Sequence, residues 1–258
     1  MSVHPTSIVH PGANLAEDVV VGPWSQISED VTIGAGSVVG SHCLIHGPTV
    51  IGKNNQIHSF STLGCDPQDK KFEAGSSSRL DIGDRNVIRE YCSVNRGTKA
   101  GGGVTRIGDD NWIMAYCHIA HDCQIGNSSV FANNTTLAGH VVVGDFVTLG
   151  GFTGIHQFCQ LGEGSFSAIS AVIKKDVPPY VIVKGNAAKP RSINKIGLQR
   201  RGFPQDAIHS LRRCYRTLYL QGNTLENAIK KIEADADNSS LVQKFLEFII
   251  ESDRGIVR

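Results

Sequence analysis

Residues 117 to 123 read CHIAHDC, which sets His118 and His121 three apart with Asp122 beside the second, in a stretch otherwise poor in charge. Three kinds of chemistry use such parts. A neutral imidazole can take a proton from a hydroxyl near neutral pH while a neighbouring carboxylate fixes its tautomer and steadies the imidazolium that forms. Closely spaced histidines can instead bind zinc. Imidazoles can also do no more than cover a wall, as His10, His46, His58 and His156 would where each follows an aliphatic residue of the repeat described next. Zinc ranks below base catalysis, because Asp122 and a later glycine, Gly139, have no required place in a three-histidine zinc site; no metal is expected.

The elements that must position these residues show in a six-residue repeat. Val9, Leu15, Val21, Ile27, Ile33, Val39, Ile45, Ile51, Ile57 and Leu63 are spaced by six; the series resumes at Ile82, Ile88 and Val94, and again from Ile107 to Leu161. Glycine often follows the aliphatic residue, as at Gly34 and Gly126, where a tight corner favours a residue without Cβ. Four residues after each aliphatic comes a small or β-branched side chain, and Cys43, Cys92, Cys117, Cys123 and Cys159 fall in that slot. Short strands joined by corners at this period stack as a parallel β-helix whose aliphatic residues pack coil on coil. The pattern resembles that of bacterial hexapeptide-repeat transferases, which implies a left-handed helix with about 18 residues, three hexads, per coil.

Residues one coil apart then lie about 4.8 Å from each other. That places His121, Gly139 and Gln157 in one column, Asp122, His140 and Phe158 in the next, and Ala120, Ala138 and His156 in a third. One edge thus carries a base, its orienting acid and a glycine amide able to meet a developing oxyanion, the parts needed for acyl transfer. The period lapses at Ser167, and helices follow: Pro204 opens one whose Ile208, Leu211, Tyr215, Leu218 and Tyr219 share a face, Thr224 caps a second, and a third carries Leu241, Phe245, Leu246 and Ile249. The fold expected is mainly β, a left-handed parallel β-helix over residues 1–190 followed by a small α-helical C-terminal domain over 191–258.

Composition narrows the classes. A net charge of +1 gives no global reason to bind nucleic acid, and no apolar run is long enough to span a membrane, so a cytoplasmic protein is expected. Seven cysteines without a CxxC pair suggest neither a disulfide framework nor a zinc ribbon.

The motifs AHDCQIGN, LAGHVVVGDF, GGFTGIHQFCQLG, KDVPPYVIVKGNAAKP and LQRRGF, in this order, closely resemble those of the UDP-N-acetylglucosamine acyltransferases, the family that opens lipid A biosynthesis. The resemblance implies transfer of a 3-hydroxyacyl group from acyl carrier protein to the sugar 3-hydroxyl of UDP-N-acetylglucosamine. His121 would be the general base, Asp122 its orienter and the Gly139 amide the oxyanion donor. His118, His140, His156 and Gln157 match residues that line the family's cleft. Asp69 and Lys71 match a segment that contacts the sugar nucleotide from an adjoining subunit, and Asn194, Arg200 and Arg201 match its nucleotide-binding segment. The resemblance further implies a homotrimer and no bound cofactor, the acyl donor riding on the phosphopantetheine of acyl carrier protein.

Three positions depart from the family pattern: Asn95 replaces a usual histidine, Ile196 a usual glutamate, and Ile169 the glycine of members that take long chains. The first two leave open a 3-amino sugar as acceptor. By analogy, Ile169 points to a shorter hydroxyacyl chain of about ten carbons, each excluded methylene forfeiting about 0.8 kcal/mol of burial. The segment from 185 to 216 holds eight cations, among them Lys189, Arg191, Lys195, Arg212, Arg213 and Arg216, against Asp206 alone, which would steer an acidic carrier protein. A solvated helical face would look the same. A non-catalytic β-helix scaffold is the alternative from another class.

Overall fold

The computed structural model describes residues 2–73, 75–235 and 239–258. Short strands form three faces of eleven, nine and eight strands, every pairing parallel except the last, in a left-handed parallel β-helix. Ile8 pairs with Gln26 and Val9 with Ile27, and the same register recurs in every uninterrupted coil. From Val21 to Leu161 the repeat aliphatics are no more than 4% exposed, so each coil closes its core on the next. The five cysteines of the small-residue slot are buried with them.

Polar residues inside the helix are satisfied along its axis. Asn86 Nδ2 donates to Asn55 Oδ1 at 3.1 Å, and Asn111 Nδ2 to Asn86 Oδ1 at 3.0 Å, so buried amides repeat the coil-to-coil ladder. Ser167 interrupts the sequence period but not the fold: its Oγ accepts from Gly150 N at 3.1 Å and lies 2.8 Å from Thr153 Oγ1. The coils continue through strands at Phe166–Ser167, Val172–Ile173 and Val181–Lys184.

Two insertions break the period. In the regular wall Leu44 pairs with Thr62, but Thr62 then pairs with Ser93 and Ser93 with His118, so both of these coils are longer than the standard one and the first is the longer of the two. Both insertions leave the wall at the corner between the second and third faces, the same corner that His121 and His140 occupy in later coils.

The strand Lys189–Ile193 turns back antiparallel on 181–184, and the short helix α1 (Lys195–Arg200) follows; the sequence period signals neither. Then come α2 (Gln205–Tyr219), α3 (Leu225–Ala234) and α4 (Ser240–Glu251). Pro204 precedes α2, whose Ile208, Leu211, Tyr215 and Leu218 are buried, and Thr224 Oγ1 caps α3 by accepting from Asn227 N at 3.2 Å. The Glu163 carboxylate, on a β-helix corner, pairs with both Arg201 and Lys244 and so ties α1 and α4 to the coils.

Candidate active site

Asp122 occupies a corner at φ 61°, in the left-handed region, with its side chain wholly shielded from solvent. A buried carboxylate needs donors, and the second insertion supplies them. Thr98 N donates to Oδ1 at 2.8 Å and Thr98 Oγ1 to Oδ2 at 2.6 Å, while Thr105 Oγ1 accepts from Asp122 N at 2.8 Å. Gly101 must lack a side chain here, since a Cβ would stand 2.1 Å from Asp122 Oδ2. Oδ2 also lies 2.8 Å from His121 Nδ1. A carboxylate only accepts, so Nδ1 carries the proton and Nε2 keeps its lone pair.

The column arithmetic holds at this edge. His140 N donates to His121 O at 3.0 Å and Phe158 N to Gly139 O at 3.2 Å. The His121 ring lies flush against Gly139: a Cβ there would meet Cε1 at 2.6 Å and Nε2 at 2.8 Å. Among the described residues the Gly139 N–H makes no hydrogen bond, which leaves it free to meet an incoming oxygen. His140 packs edge-on to His121, with centroids 5.1 Å apart, and stacks on Phe158 at 4.5 Å. Burial, chiefly, holds His140 below the ordinary histidine value, outweighing the opposing pull of Asp122. His118 is depressed too, first by burial and then by His121; its Nδ1 lies 2.7 Å from Ser93 Oγ.

His121, Asp122 and His140 offer three ligand atoms within 4.8 Å of one another, a set a divalent ion could use. Yet the Asp122 oxygens already accept three hydrogen bonds and His121 Nδ1 is spent on one of them. What the pair leaves uncommitted is the His121 Nε2 lone pair.

The remaining expected residues spread outward from this corner. Asp69 and Lys71 line a cleft of about 490 Å³ with Phe72, Thr98 and Lys99, so the first insertion lies against the second. Asn95, the departure from histidine, is buried and donates to Asp66 O at 3.0 Å, tying down the root of that loop. His156 and Gln157 are exposed one coil above Gly139. Asn194 spends its side chain on structure, accepting from Gly197 N at 3.0 Å and donating to Gly164 O at 3.0 Å. Arg201 turns inward, between Phe146 and Phe203 and onto Glu163, whereas Arg200 stays exposed. Ile169 is 67% exposed on a different corner from His121. Sequence reasoning missed Thr98, Thr105 and Ser93. The signal was there for Thr98, because the coil lengthened by the second insertion pairs Ser93 with His118, and the same offset carried to Asp122 falls beside Thr98.

A coiled wall of hexads with an imidazole–carboxylate pair on its corner defines a hexapeptide-repeat transferase. The description "Bacterial transferase hexapeptide (six repeats)" matches residues 12–47 and 104–139, and "Udp N-acetylglucosamine O-acyltransferase; Domain 2" matches 176–257. The acyl-[acyl-carrier-protein]–UDP-N-acetylglucosamine O-acyltransferase of Thiobacillus denitrificans is 53% identical over 257 residues, covering 100% of this chain and 99% of its own. The solved UDP-N-acetylglucosamine acyltransferase of Francisella novicida superposes with a TM-score of 0.96 at 39% identity, covering 99% of this chain and 94% of its own. That of Moraxella catarrhalis gives 0.96 at 39%, covering 100% of both. The chain belongs to the UDP-N-acetylglucosamine O-acyltransferase family.

Proposed function

We propose that the protein transfers a 3-hydroxyacyl group from acyl carrier protein to the 3-hydroxyl of UDP-N-acetylglucosamine, the first step of lipid A biosynthesis. The observation that carries the chemistry is the His121 ring, proton on Nδ1, lying against Gly139. Nε2 takes the proton of the sugar hydroxyl as its oxygen attacks the thioester carbonyl. The tetrahedral oxyanion meets the Gly139 N–H, the C–S bond breaks, and His121 returns the proton to the departing thiolate sulfur. Asp122 holds the imidazolium in place through both steps. His118, His140, His156 and Gln157 line the cleft, Asp69, Lys71 and Arg200 engage the sugar nucleotide, and Asn194 and Arg201 build the segment that presents Arg200.

The protein acts as a cytoplasmic homotrimer in this reading. Ile169 and His121 sit on different corners of one coil stack, which supports a cleft shared between neighbouring copies. No helix among the described residues is long and apolar enough to cross a membrane. An assay with hydroxyacyl carrier protein against UDP-N-acetylglucosamine and its 3-amino analogue tests the reading: turnover is expected with the hydroxyl, and exclusive use of the amine reassigns the acceptor. Activity unchanged by chelation is expected; stoichiometric zinc with chelator-sensitive turnover favours the metal reading of the His121–Asp122–His140 set. Ile169→Gly should lengthen the preferred chain, each methylene admitted adding about 0.8 kcal/mol of burial, as read from kcat/KM over a chain-length series.

A further inference from the structure

After α4 the chain returns to the end of the β-helix and is pinned there by Asp176, which is fully buried. Ser252 Oγ donates to Asp176 Oδ2 at 2.7 Å, Asp176 N donates to Gly255 O at 3.1 Å, and Val257 N donates to Asp176 O at 2.9 Å. The pinned segment aims Arg254 at the edge that carries the base. Its Nε donates to Lys174 O at 3.1 Å, and its Nη2 lies 2.9 Å from His156 Nδ1. The same His156 nitrogen lies 3.1 Å from the Gln157 carbonyl oxygen, so the Arg254 guanidinium and the His156 ring meet at one point of that edge.

Lys174 stands one coil above His156 in the same column, and the Lys175 ammonium lies near Gly255. Among the described residues Arg254, Lys174 and Lys175 have no carboxylate within salt-bridge distance. An anchored guanidinium flanked by lysines, none of them neutralised by a carboxylate, is suited to a phosphate ester. His156 is two coils above Ala120, a rise of about 10 Å from the level of the base. An arm of two extended amide-linked units can span that rise from a thioester at His121.

On the acyl-transfer reading above, we infer that Arg254, with Lys174 beside it, binds the phosphodiester of the donor's phosphopantetheine arm. Arg254 is thus a donor-specificity residue brought to the site by the C-terminal segment.

The test compares two soluble donors, hydroxyacyl-4′-phosphopantetheine and the same thioester without the phosphate, with UDP-N-acetylglucosamine as acceptor. The wild-type protein should favour the phosphorylated donor by about tenfold or more in kcat/KM, the scale of one charge-assisted hydrogen bond. Arg254→Gln should erase most of that preference, Arg254→Lys should retain part of it, and the KM for the UDP-sugar should stay put. Because the preference is a ratio within each variant, a partly unfolded preparation lowers both rates alike. A preference left intact in Arg254→Gln overturns the inference while leaving the activity untouched. A rise confined to the UDP-sugar KM overturns it as well, giving the cations to the acceptor's diphosphate. A wild-type protein inert even with acylated carrier protein takes down the activity reading and this inference together.

Discussion

Two corners of the same coil stack share one backbone and differ in everything attached to it. On the corner between the first and second faces, Trp24, His42, Phe60, Tyr91 and Tyr116 all have positive φ and stack as parallel rings. His42 to Phe60, Phe60 to Tyr91 and Tyr91 to Tyr116 are 4.8, 5.0 and 4.9 Å apart with interplanar angles of 4° or less. That spacing is the rise of the coil, so flat rings pile up wherever nothing prevents it. On the next corner Asp122, His140 and Phe158 have the same conformation, and His140 stacks on Phe158 as the pattern dictates. Below His140 the column holds Asp122 instead of a ring, and the His121 ring of the adjoining column meets His140 edge-on at 89°. Thr98, which the second insertion carries against Asp122, donates to that carboxylate, and the carboxylate in turn lies 2.8 Å from His121 Nδ1. Stacking is what the repeat does by default, and the imidazole–carboxylate pair stands where an insertion interrupts it.

His121→Ala breaks the reactive corner outright. kcat/KM should fall by about 10²–10⁴-fold, the range for a positioned base, with the thermal midpoint nearly unmoved; a variant that keeps most of its activity would falsify the assignment. Thr98→Val removes the hydroxyl from Asp122 while preserving shape, so the base stays but its orientation loosens. A drop of roughly tenfold in kcat, with substrate KM values little changed, is expected from one buried charged hydrogen bond.

Acid should distinguish the two corners next. His118 and His140 are held below their ordinary value of 6.5 in the folded protein. The unfolded chain therefore binds protons first as the pH drops, so the stability linked to these groups is intact above about pH 6.5 and is lost below it. Denaturant midpoints measured from about pH 8 to pH 5 should be flat and then fall, and paired glutamine replacements at 118 and 140 should soften the fall. The smallest effect belongs to the aromatic corner: Tyr91→Ala should cost about 1 kcal/mol of stability through lost ring contacts, without changing kcat. A large loss of activity there would mean that the two corners are not independent.

The wall was legible because burial enforces it. Each aliphatic from Val21 to Leu161 faces the core, and a core position cannot disguise its residue type. The column of His121, Gly139 and Gln157 followed from the period once it was combined with the coil of about 18 residues that the family resemblance implies. The support of Asp122 did not, since Thr98 comes from a segment where the period fails and the offset between stacked residues lengthens. Arg254 was invisible for a related reason: nothing in SDRGIVR indicates that it folds back onto Lys174 and His156. Asn194 and Arg201 show the limit of motif matching. A motif gives a residue's place in the chain, whereas the neighbours Gly164 and Glu163 decide where its side chain is used.

The corner at which both insertions leave has a wider meaning for how such a molecule changes over generations. A face admits only whole turns, since any other length would drag every later aliphatic off the axis. Added segments that do not match a turn therefore had nowhere to go but outward at a bend. Novelty collects along the bends while the faces stay uniform, so a lineage built on this plan can acquire new chemistry without renegotiating its interior.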